Sequence, residues 1–346
     1  MIPADLKKGQ YIIEEEVPSS LSNQFRSTSH FLPSSLLTPP FPRAKNSSVT
    51  LKKKNVKFYT TCEEQIVKVQ ASQLIGEGIF KKVYLGTLYA KRRGKKKKKI
   101  REIAFAKITS LKNHYSLDQQ AFAMKRESVL AARESYILNK IKALYPQGHR
   151  GLMHPIATCE WQKKELLKTG FVFSFYNGKT LQEAFYISPK ETLKVALDIA
   201  YGLKALHQHF ILHNDLKPSN ICLQRYYSSG RIISAHIIDF GLATDLKSSQ
   251  HDSFLGSDKS CISPELNDRL INALDKEINE KSDIYSYGKL LKKLQIKDPS
   301  IKELICKSQN SFAAERPSLS KFIKTLEKIK EKAIKEQKQF SYQFNF

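Results

Sequence analysis

The sequence predicts an α+β fold in two lobes, a small antiparallel β lobe followed by a helical lobe. Segments rich in β-branched and aromatic residues, separated by turns, are concentrated between residues 64 and 110. From residue 189 onward, apolar residues recur mostly at helical spacing. Strands first and helices second is the order expected when the two kinds of element segregate within one protein.

Five segments carry this prediction, and each has a local signal. Alternating or β-branched residues predict the strands, and apolar residues at i, i+3 and i+4 predict the helices. Pro146 and Gly148 end the first helix, and Pro189 lies near the start of the next. The predicted strands are Gln65–Val69, Val83–Tyr89, Ile103–Ile108 and Gly170–Tyr176, and the first helix is Phe122–Leu144.

Composition limits the class of protein. The chain has 346 residues and 41% hydrophobic content, which suffices for two lobes with a sizeable core. No apolar run approaches the roughly 20 residues that a membrane helix needs, so we expect no transmembrane segment. The five cysteines are scattered without C-x-x-C spacing, which favours a reducing compartment over disulfides or zinc. We expect a cytoplasmic location, with the nucleus or delivery into another cell as alternatives.

The chain divides into a tail, a domain and a second tail. Residues 1–60 are rich in serine, proline and basic residues and show little apolar periodicity, which predicts disorder. We place the domain at residues 65–330, with the small lobe at 65–173 and the large lobe at 177–330. Residues 331–346 form a basic C-terminal tail in this division.

Two short motifs in the second half carry the chemistry. H-N-D-L-K-P-S-N ends at Asn220, and D-F-G begins at Asp239. Asp215 can orient or deprotonate a hydroxyl group, and the cation of Lys217 can stabilise a phosphoryl group in transfer. Asn220 and Asp239 offer the oxygen ligands that Mg²⁺ prefers. The two motifs resemble the catalytic loop and the magnesium loop of the protein kinase family.

This resemblance implies a two-lobed protein kinase-like fold, ATP and Mg²⁺ as cofactors, and a protein hydroxyl as acceptor. The form D-L-K-x-x-N is the one seen in serine/threonine kinases. Asn214 stands where the family usually has an arginine that pairs with a phosphate on the activation loop. We therefore expect activity without phosphorylation of that loop.

Residues 75–83, I-G-E-G-I-F-K-K-V, resemble the family's glycine-rich loop, in which glycines let the backbone approach the phosphates. The resemblance implies nucleotide contacts from Ile75, Gly76, Gly78 and Val83. Lys81 stands in place of the third glycine and brings a cation to this region.

Residues 104–108, A-F-A-K-I, resemble the strand that carries the phosphate-binding lysine. The implied residues are Ala106 beside the nucleotide and Lys107 on the α- and β-phosphates. Glu134, on the first helix, is the implied carboxylate partner of Lys107, and Glu127 is the second candidate.

Residues 172–181 resemble the hinge between the lobes. The resemblance makes Phe173 the gatekeeper, a bulky side chain that closes the back of the pocket. It also implies that the backbone of Ser174 and of Tyr176 meets the adenine ring.

Further family elements have structural roles. The resemblance implies a Glu265–Arg316 ion pair at the end of the activation segment and an Asp283 that braces the catalytic loop. Residues 225–231 form a hairpin-like insertion, and the interval from Asp283 to Arg316 is about half that usual in the family. We therefore expect a reduced αG region.

A basic run extends from Lys91 to Arg101, in a chain with a net charge of +25. Such a run attracts phosphate-bearing or acidic partners, so a nuclear import receptor, nucleic acid and anionic lipid are the candidates. A solvated insertion without a partner is the fourth interpretation.

Three functions are consistent with these motifs. The first is a serine/threonine protein kinase that uses Mg-ATP. The second is a pseudokinase or weakly active scaffold with a basic interaction loop, suggested by Lys81, Asn214 and the reduced αG region. The third is a kinase-like enzyme acting on a small molecule, which the protein-substrate elements around Glu265, Asp283 and Arg316 argue against.

Overall fold

The computed structural model describes residues 66–77, 81–91, 98–108, 117–163, 166–184, 187–248, 261–271 and 277–343. A five-stranded antiparallel sheet with one long helix comes first, and a mainly helical region follows. The predicted two-lobed α+β fold is confirmed. The predicted N-terminal tail, Gly78, the side chain of Glu127 and most of the basic run lie outside this description.

The small lobe is built on one sheet with strand order β1-β2-β3-β5-β4. Neighbouring strands are antiparallel throughout. Strand β4, which the sequence did not predict, lies at the sheet edge and begins with Pro155, where a proline removes no ladder hydrogen bond. The elements are β1 (Ile66–Glu77), β2 (Lys81–Lys91), β3 (Lys98–Ile108), α1 (Leu117–Leu144), β4 (Pro155–Lys163) and β5 (Leu166–Ser174).

Helix α1 carries the inward face that its periodicity predicted. Ile137, Leu138 and Ile141 are each at most 2% exposed and pack into the main core. Glu134 lies one turn before this apolar cluster and is also buried, at 3% exposure. A buried carboxylate must be paired or hydrogen-bonded, so this position on the helix calls for a cationic partner.

The large lobe is mainly helical, with short strands around its loops. The sequence explains the start of α2: Ser188 caps the helix, Glu191 completes the capping box and Pro189 occupies the first turn. The elements are α2 (Pro189–His207), β6 (Ile211–Leu212), β7 (Ile221–Arg225), β8 (Ile232–Ile237), β9 (Thr244–Asp245), α3 (Pro264–Ile271), α4 (Glu280–Lys293), α5 (Pro299–Ser308) and α6 (Leu319–Gln343).

The insertion at residues 225–231 is a hairpin turn, as predicted. Strands β7 and β8 pair antiparallel, and the Tyr226 N–H donates to the Arg231 carbonyl at 2.9 Å. The hinge lies against this hairpin, since the Gly178 N–H donates to the Leu223 carbonyl at 2.9 Å. A Cβ at Gly178 would lie 2.2 Å from the Leu223 carbonyl oxygen, so only glycine allows this approach.

The end of the domain is short. Residues 277–343 are all described, and they place one α-helix, α5, and a single 3₁₀ turn between α4 and Arg316, which agrees with a reduced αG region. Helix α6 packs Phe322 and Leu326 into the core and continues to Gln343, past the boundary expected at residue 330. Within the described residues, none of the helices combines the length and apolar character required to cross a bilayer.

Candidate active site

The loop after β6 is held from below by a buried carboxylate on α4. Asp283 accepts the backbone N–H groups of His213 at 2.8 Å and Asn214 at 2.9 Å, and it lies 2.9 Å from His207 Nε2. Burial alone would raise the pKa of Asp283, but the hydrogen bond and charge of His207 hold it below its ordinary value. The predicted bracing role of Asp283 is confirmed.

Asp215 is positioned by the two other polar residues of its motif. Lys217 Nζ lies 2.9 Å and 2.8 Å from the two carboxylate oxygens, and Asn220 Nδ2 donates to Oδ2 at 2.9 Å. Burial raises the pKa of Asp215, although the Lys217 cation opposes the shift. The result is an oriented carboxylate whose basicity is higher than that of an exposed aspartate.

His213 has a packing role. Its ring contacts the ring of Phe240 edge to face at a centroid distance of 5.3 Å. One ring nitrogen lies 3.2 Å from the Ile238 carbonyl oxygen, and the other lies 3.3 Å from the Asp215 backbone nitrogen. A neutral imidazole satisfies both contacts, donating to the carbonyl and accepting from the amide.

Asp239, Glu134 and Lys81 form one compact charged cluster. Lys81 Nζ donates to both oxygens of Glu134, at 2.8 and 2.9 Å, and to Asp239 Oδ1 at 2.5 Å. Glu134 also accepts the backbone N–H of Phe240. The cluster therefore joins three elements: the start of β2, the middle of α1 and the D-F-G motif.

Two carboxylates share one ammonium in this cluster. Burial alone would lower the pKa of Lys81, but Asp239 and Glu134 raise it above its ordinary value. Burial raises the pKa of Glu134, with Lys81 opposing, whereas for Asp239 the effect of Lys81 prevails over burial and lowers the pKa. Asp239 is thus the carboxylate held ionised.

The predicted pairing of Glu134 with Lys107 needs correction, because the ammonium on Glu134 belongs to Lys81. Directly opposite residues of paired strands share a face, and successive residues alternate faces. Val83 pairs with Ala106, so Lys81, two residues before Val83, shares their face. Lys107 lies opposite Lys82 in the strand register, and both belong to the other face of the sheet.

Sequence reasoning missed this partner although a signal was present. In the family strand V-A-I-K the lysine follows the alanine by two positions. Counting from Ala104 puts Ala106 at that position, one residue before Lys107. The lysine that could replace it was the one standing in for the third glycine of the loop.

The hinge residues lie at the end of β5 and just beyond it. Phe173 pairs with Ala104, shares its face and is 5% exposed. The Ser174 N–H donates to the His154 carbonyl at 3.1 Å. The Tyr176 ring stacks on His236 at 3.9 Å and its hydroxyl accepts the His154 N–H. The adenine contacts of Ser174 and Tyr176 remain predictions.

Asn214 makes neutral contacts where the family usually has a cation. Its Nδ2 donates to the Leu242 carbonyl and to Thr244 Oγ1, both at 3.0 Å. It adopts a φ of +62°, which asparagine tolerates better than most residues. These bonds tie the catalytic loop to the start of the activation segment.

A second tie joins the same segment to α1. The carboxylate of Asp245, on β9, accepts from the Tyr136 hydroxyl at 2.8 Å and from Lys140 Nζ. Burial alone would raise the pKa of Asp245, but these two donors lower it. Sequence reasoning missed this contact, which joins residues about 100 positions apart. We call Tyr136, Lys140 and Asp245 the helix latch.

The ion pair predicted at the end of the activation segment is confirmed. Arg316 binds Glu265 through two parallel hydrogen bonds, of 2.6 and 2.8 Å. Glu265 also accepts from the Ser282 hydroxyl on α4 at 2.8 Å. Burial alone would raise the pKa of Glu265, but Arg316 and its other donors lower it to about 2.

The donors near Asp215 fit a cation that is held partly by a substrate. No group of three or more His, Cys, Asp or Glu side chains suited to a metal occurs among the residues described here. The amide nitrogen of Asn220 is engaged by Asp215, so its carbonyl oxygen is the atom that can bind a cation. With Asp239 this gives two oxygen donors, the small protein share usual for phosphate-bound Mg²⁺.

Comparisons with known proteins agree with this geometry. The sequence model of the protein kinase domain matches residues 69–345. A probable serine/threonine-protein kinase of Dictyostelium discoideum is 27% identical over 67% of this chain and 60% of its own length. Dual specificity testis-specific protein kinase 2 of Rattus norvegicus is 28% identical over 50% of this chain and 29% of its own.

A third relative is a probable LRR receptor-like serine/threonine-protein kinase of Arabidopsis thaliana, 32% identical over 36% of this chain and 23% of its own length. The chain thus spans between 23% and 60% of the length of these relatives. The family match nevertheless covers most of the chain, from the first described strand to the last helix. The chain belongs to the protein kinase family.

Proposed function

We propose that this protein is an active serine/threonine protein kinase that transfers the γ-phosphate of Mg-ATP to a protein hydroxyl. The observation that carries the proposal is the state of Asp215: a partly buried carboxylate held by Lys217 and Asn220 on a loop braced by Asp283. The cluster of Lys81, Glu134 and Asp239 supports it, because a scaffold without catalysis has no need to keep two carboxylates on one ammonium around the buried Glu134.

In the proposed reaction Asp215 orients the acceptor hydroxyl and takes up its proton. The acceptor oxygen forms a bond to the γ-phosphorus while the bond from that phosphorus to the β,γ-bridging oxygen breaks, and ADP leaves. Lys217, which contacts the Asp215 carboxylate, would stabilise the charge of the transferring group.

Asn220 and Asp239 are the residues that would hold Mg²⁺, which neutralises phosphate charge when it is bound. Asp239 suits this role because Lys81 keeps it ionised. The oxygen of Asn220 suits it because the amide group is fixed by the hydrogen bonds of its nitrogen to the Asp215 carbonyl and carboxylate.

Hydroxyl specificity is proposed from Lys217 and from relatives. Lys217 belongs to the motif form seen in serine/threonine kinases, and two of the relatives above are described as serine/threonine-protein kinases. One is described as a dual specificity kinase. Phosphoamino-acid analysis of the product separates the two: phosphoserine or phosphothreonine alone supports the proposal, and added phosphotyrosine supports dual specificity.

The direct test is incubation of the purified protein with radiolabelled ATP, Mg²⁺ and a set of acceptor proteins, next to an Asp215→Ala variant. We expect label in the acceptor or in the kinase itself, reduced about 10²- to 10⁴-fold in the variant, the usual contribution of a general base. Retained nucleotide binding with no transfer by the wild-type protein would favour the pseudokinase alternative.

A further inference from the structure

Among the described residues, Lys81 is a cation of the candidate active site for which the proposed reaction gives no contact with the nucleotide. It is the first residue of β2 and stands at the third glycine position of the segment that resembles the glycine-rich loop. Its side chain is 18% exposed and its ammonium contacts Glu134 and Asp239 at 2.5–2.9 Å. The family usually has glycine at this position of the loop, so the usual sequence would bring no cation here.

The strand register explains why Lys81 can reach these carboxylates. Val83 is opposite Ala106, and Ala104 is opposite Phe173, which puts these residues on one face of the sheet. Lys81 belongs to the same face. Lys82, one residue on, turns the other way and pairs with Glu77.

Ala106 leaves room on that face. It is 3% exposed, and its methyl group is the whole of its side chain. The ammonium of Lys81 therefore enters from β2 into a space that a long β3 side chain at residue 106 would otherwise use. The positive charge thus reaches Glu134 and Asp239 from β2, whereas the lysine of the family strand V-A-I-K would reach them from β3.

We propose that Lys81 is the lysine that contacts the phosphates of the bound nucleotide and couples them to Glu134, in place of Lys107. The inference deepens the proposed function and rests on it. An ammonium has three N–H donors. The two Glu134 oxygens lie at nearly equal distances from the nitrogen and can share one donor, and Asp239 takes another. One donor is left for a phosphate oxygen.

The coupling has a mechanical consequence. Because Glu134 lies on α1, a phosphate held by Lys81 also fixes this helix against the sheet. Because Lys81 begins the strand that follows the loop, the same bond fixes the loop end. Nucleotide binding and helix position are then linked through one side chain, that of Lys81 on β2.

The test compares four variants of the full chain: Lys81→Met, Lys107→Met, the control Lys82→Met, and Lys81→Gly with Ala106→Lys. Phosphotransfer, the Kd of Mg-ADP by calorimetry and the melting temperature are measured for each. We expect Lys81→Met to lose about 100-fold or more in kcat/KM, the scale of a lost electrostatic donor. Lys82→Met and Lys107→Met should stay within about threefold, as for residues away from the reacting groups.

The double variant moves the lysine from β2 to β3 on the same face. We expect it to recover at least about tenfold of the activity lost in Lys81→Met, because the ammonium returns to Glu134 from position 106. The melting temperature of Lys81→Met shows separately whether that variant is folded. If it is, the recovery of activity cannot be a recovery of folding.

The inference and the proposed function fail in different ways. If Lys107→Met loses activity as Lys81→Met does, with its melting temperature retained, the inference is overturned and the kinase proposal stands. If the wild-type protein transfers no phosphate, the kinase proposal fails and Mg-ADP affinity decides the inference. Weaker binding by Lys81→Met than by Lys107→Met then supports it, and equal affinities overturn it.

Discussion

Asp239 contacts Lys81 and is also the carboxylate that we propose as a Mg²⁺ ligand. Lys81 lowers the pKa of its carboxylate, against the effect of burial, and keeps it ionised in a cluster with Glu134. An ionised carboxylate with one oxygen on the ammonium has a second oxygen to offer a cation. This asymmetry between Asp239 and Glu134 supports the proposal that Asp239 binds Mg²⁺, while Glu134 holds Lys81 from helix α1.

This assignment predicts how Mg²⁺ and nucleotide are linked. In the wild-type protein we expect removal of Mg²⁺ with a chelator to weaken ADP binding at least about tenfold, which is 1.4 kcal/mol. In Asp239→Asn the dependence on Mg²⁺ should almost vanish, because the charged ligand is gone. Calorimetry of ADP with and without Mg²⁺ measures both. Glu303→Gln, an exposed carboxylate on α5, is the matched control and should behave as the wild type.

At the scale of elements, the helix latch and the bonds of Asn214 hold α1, the catalytic loop and β9 together. Asp245 is 5% exposed and accepts from two residues of α1, while Thr244 beside it accepts from Asn214. The catalytic loop and α1 are thus both tied to β9 by hydrogen bonds of side chains.

The latch predicts a loss of activity when its cation is removed. Lys140→Met leaves the buried Asp245 with Tyr136 as its remaining side-chain donor, at a cost of about 1.5–3 kcal/mol for a lost bond to a charged group. We expect kcat/KM to fall about tenfold, because α1 and Glu134 are held less firmly. Lys324→Met on the exposed face of α6 is the control. Full activity of Lys140→Met would show that the latch does not position α1.

A separate prediction concerns the serines of the activation segment. Ser257 and Ser260 lie outside the described residues, but Asn214 carries no charge to receive a phosphate on them. We expect Ser257→Ala and Ser260→Ala, singly and together, to keep activity within about twofold. Measured phosphotransfer after phosphatase treatment should likewise be unchanged. A large loss in either experiment would mean that another cation replaces the missing arginine.

The elements also show which parts of the structure the sequence could predict. The motifs around Asp215 and Asp239, the inward face of α1 and the Glu265–Arg316 pair follow from local patterns. Strand β4 does not follow from such a pattern, because it starts with proline and its apolar and polar residues alternate only weakly. The partner of Glu134 required the register of β2 on β3, and the latch required a contact between distant segments.

At the scale of the whole molecule, Arg316 is the main junction of the large lobe. Its side chain is fully buried, and it donates to Glu265 through two nitrogens and to the carbonyls of Asn310, Lys281 and Ser311. The guanidinium thus uses all five of its N–H donors. A lysine has three donors and no planar fork, so Arg316→Lys should be almost as disruptive as Arg316→Met.

Because the pKa of Glu265 is lowered by folding, the contribution of this contact to stability depends on pH. The carboxyl titrates near 4.5 when unfolded and at about 2 when folded, so its contribution is complete above pH 4.5 and is lost as pH falls toward 2. Glu265→Gln leaves the Arg316 charge buried without its counterion, which costs about 3–5 kcal/mol at neutral pH. In urea titrations we expect the difference in unfolding free energy between wild type and Glu265→Gln to shrink as pH is lowered from 7 to 3.5.

The matched control for this experiment is Glu303→Gln, which removes an exposed carboxylate paired with Lys307 one helical turn away. It should unfold with the wild type at both pH values, because an exposed pair contributes little to stability. A constant gap between wild type and Glu265→Gln at both pH values would assign the loss to shape and hydrogen bonding. A gap that narrows with acid assigns it to the charge, and makes Glu265 the group through which acid loosens the attachment of α3 to α4.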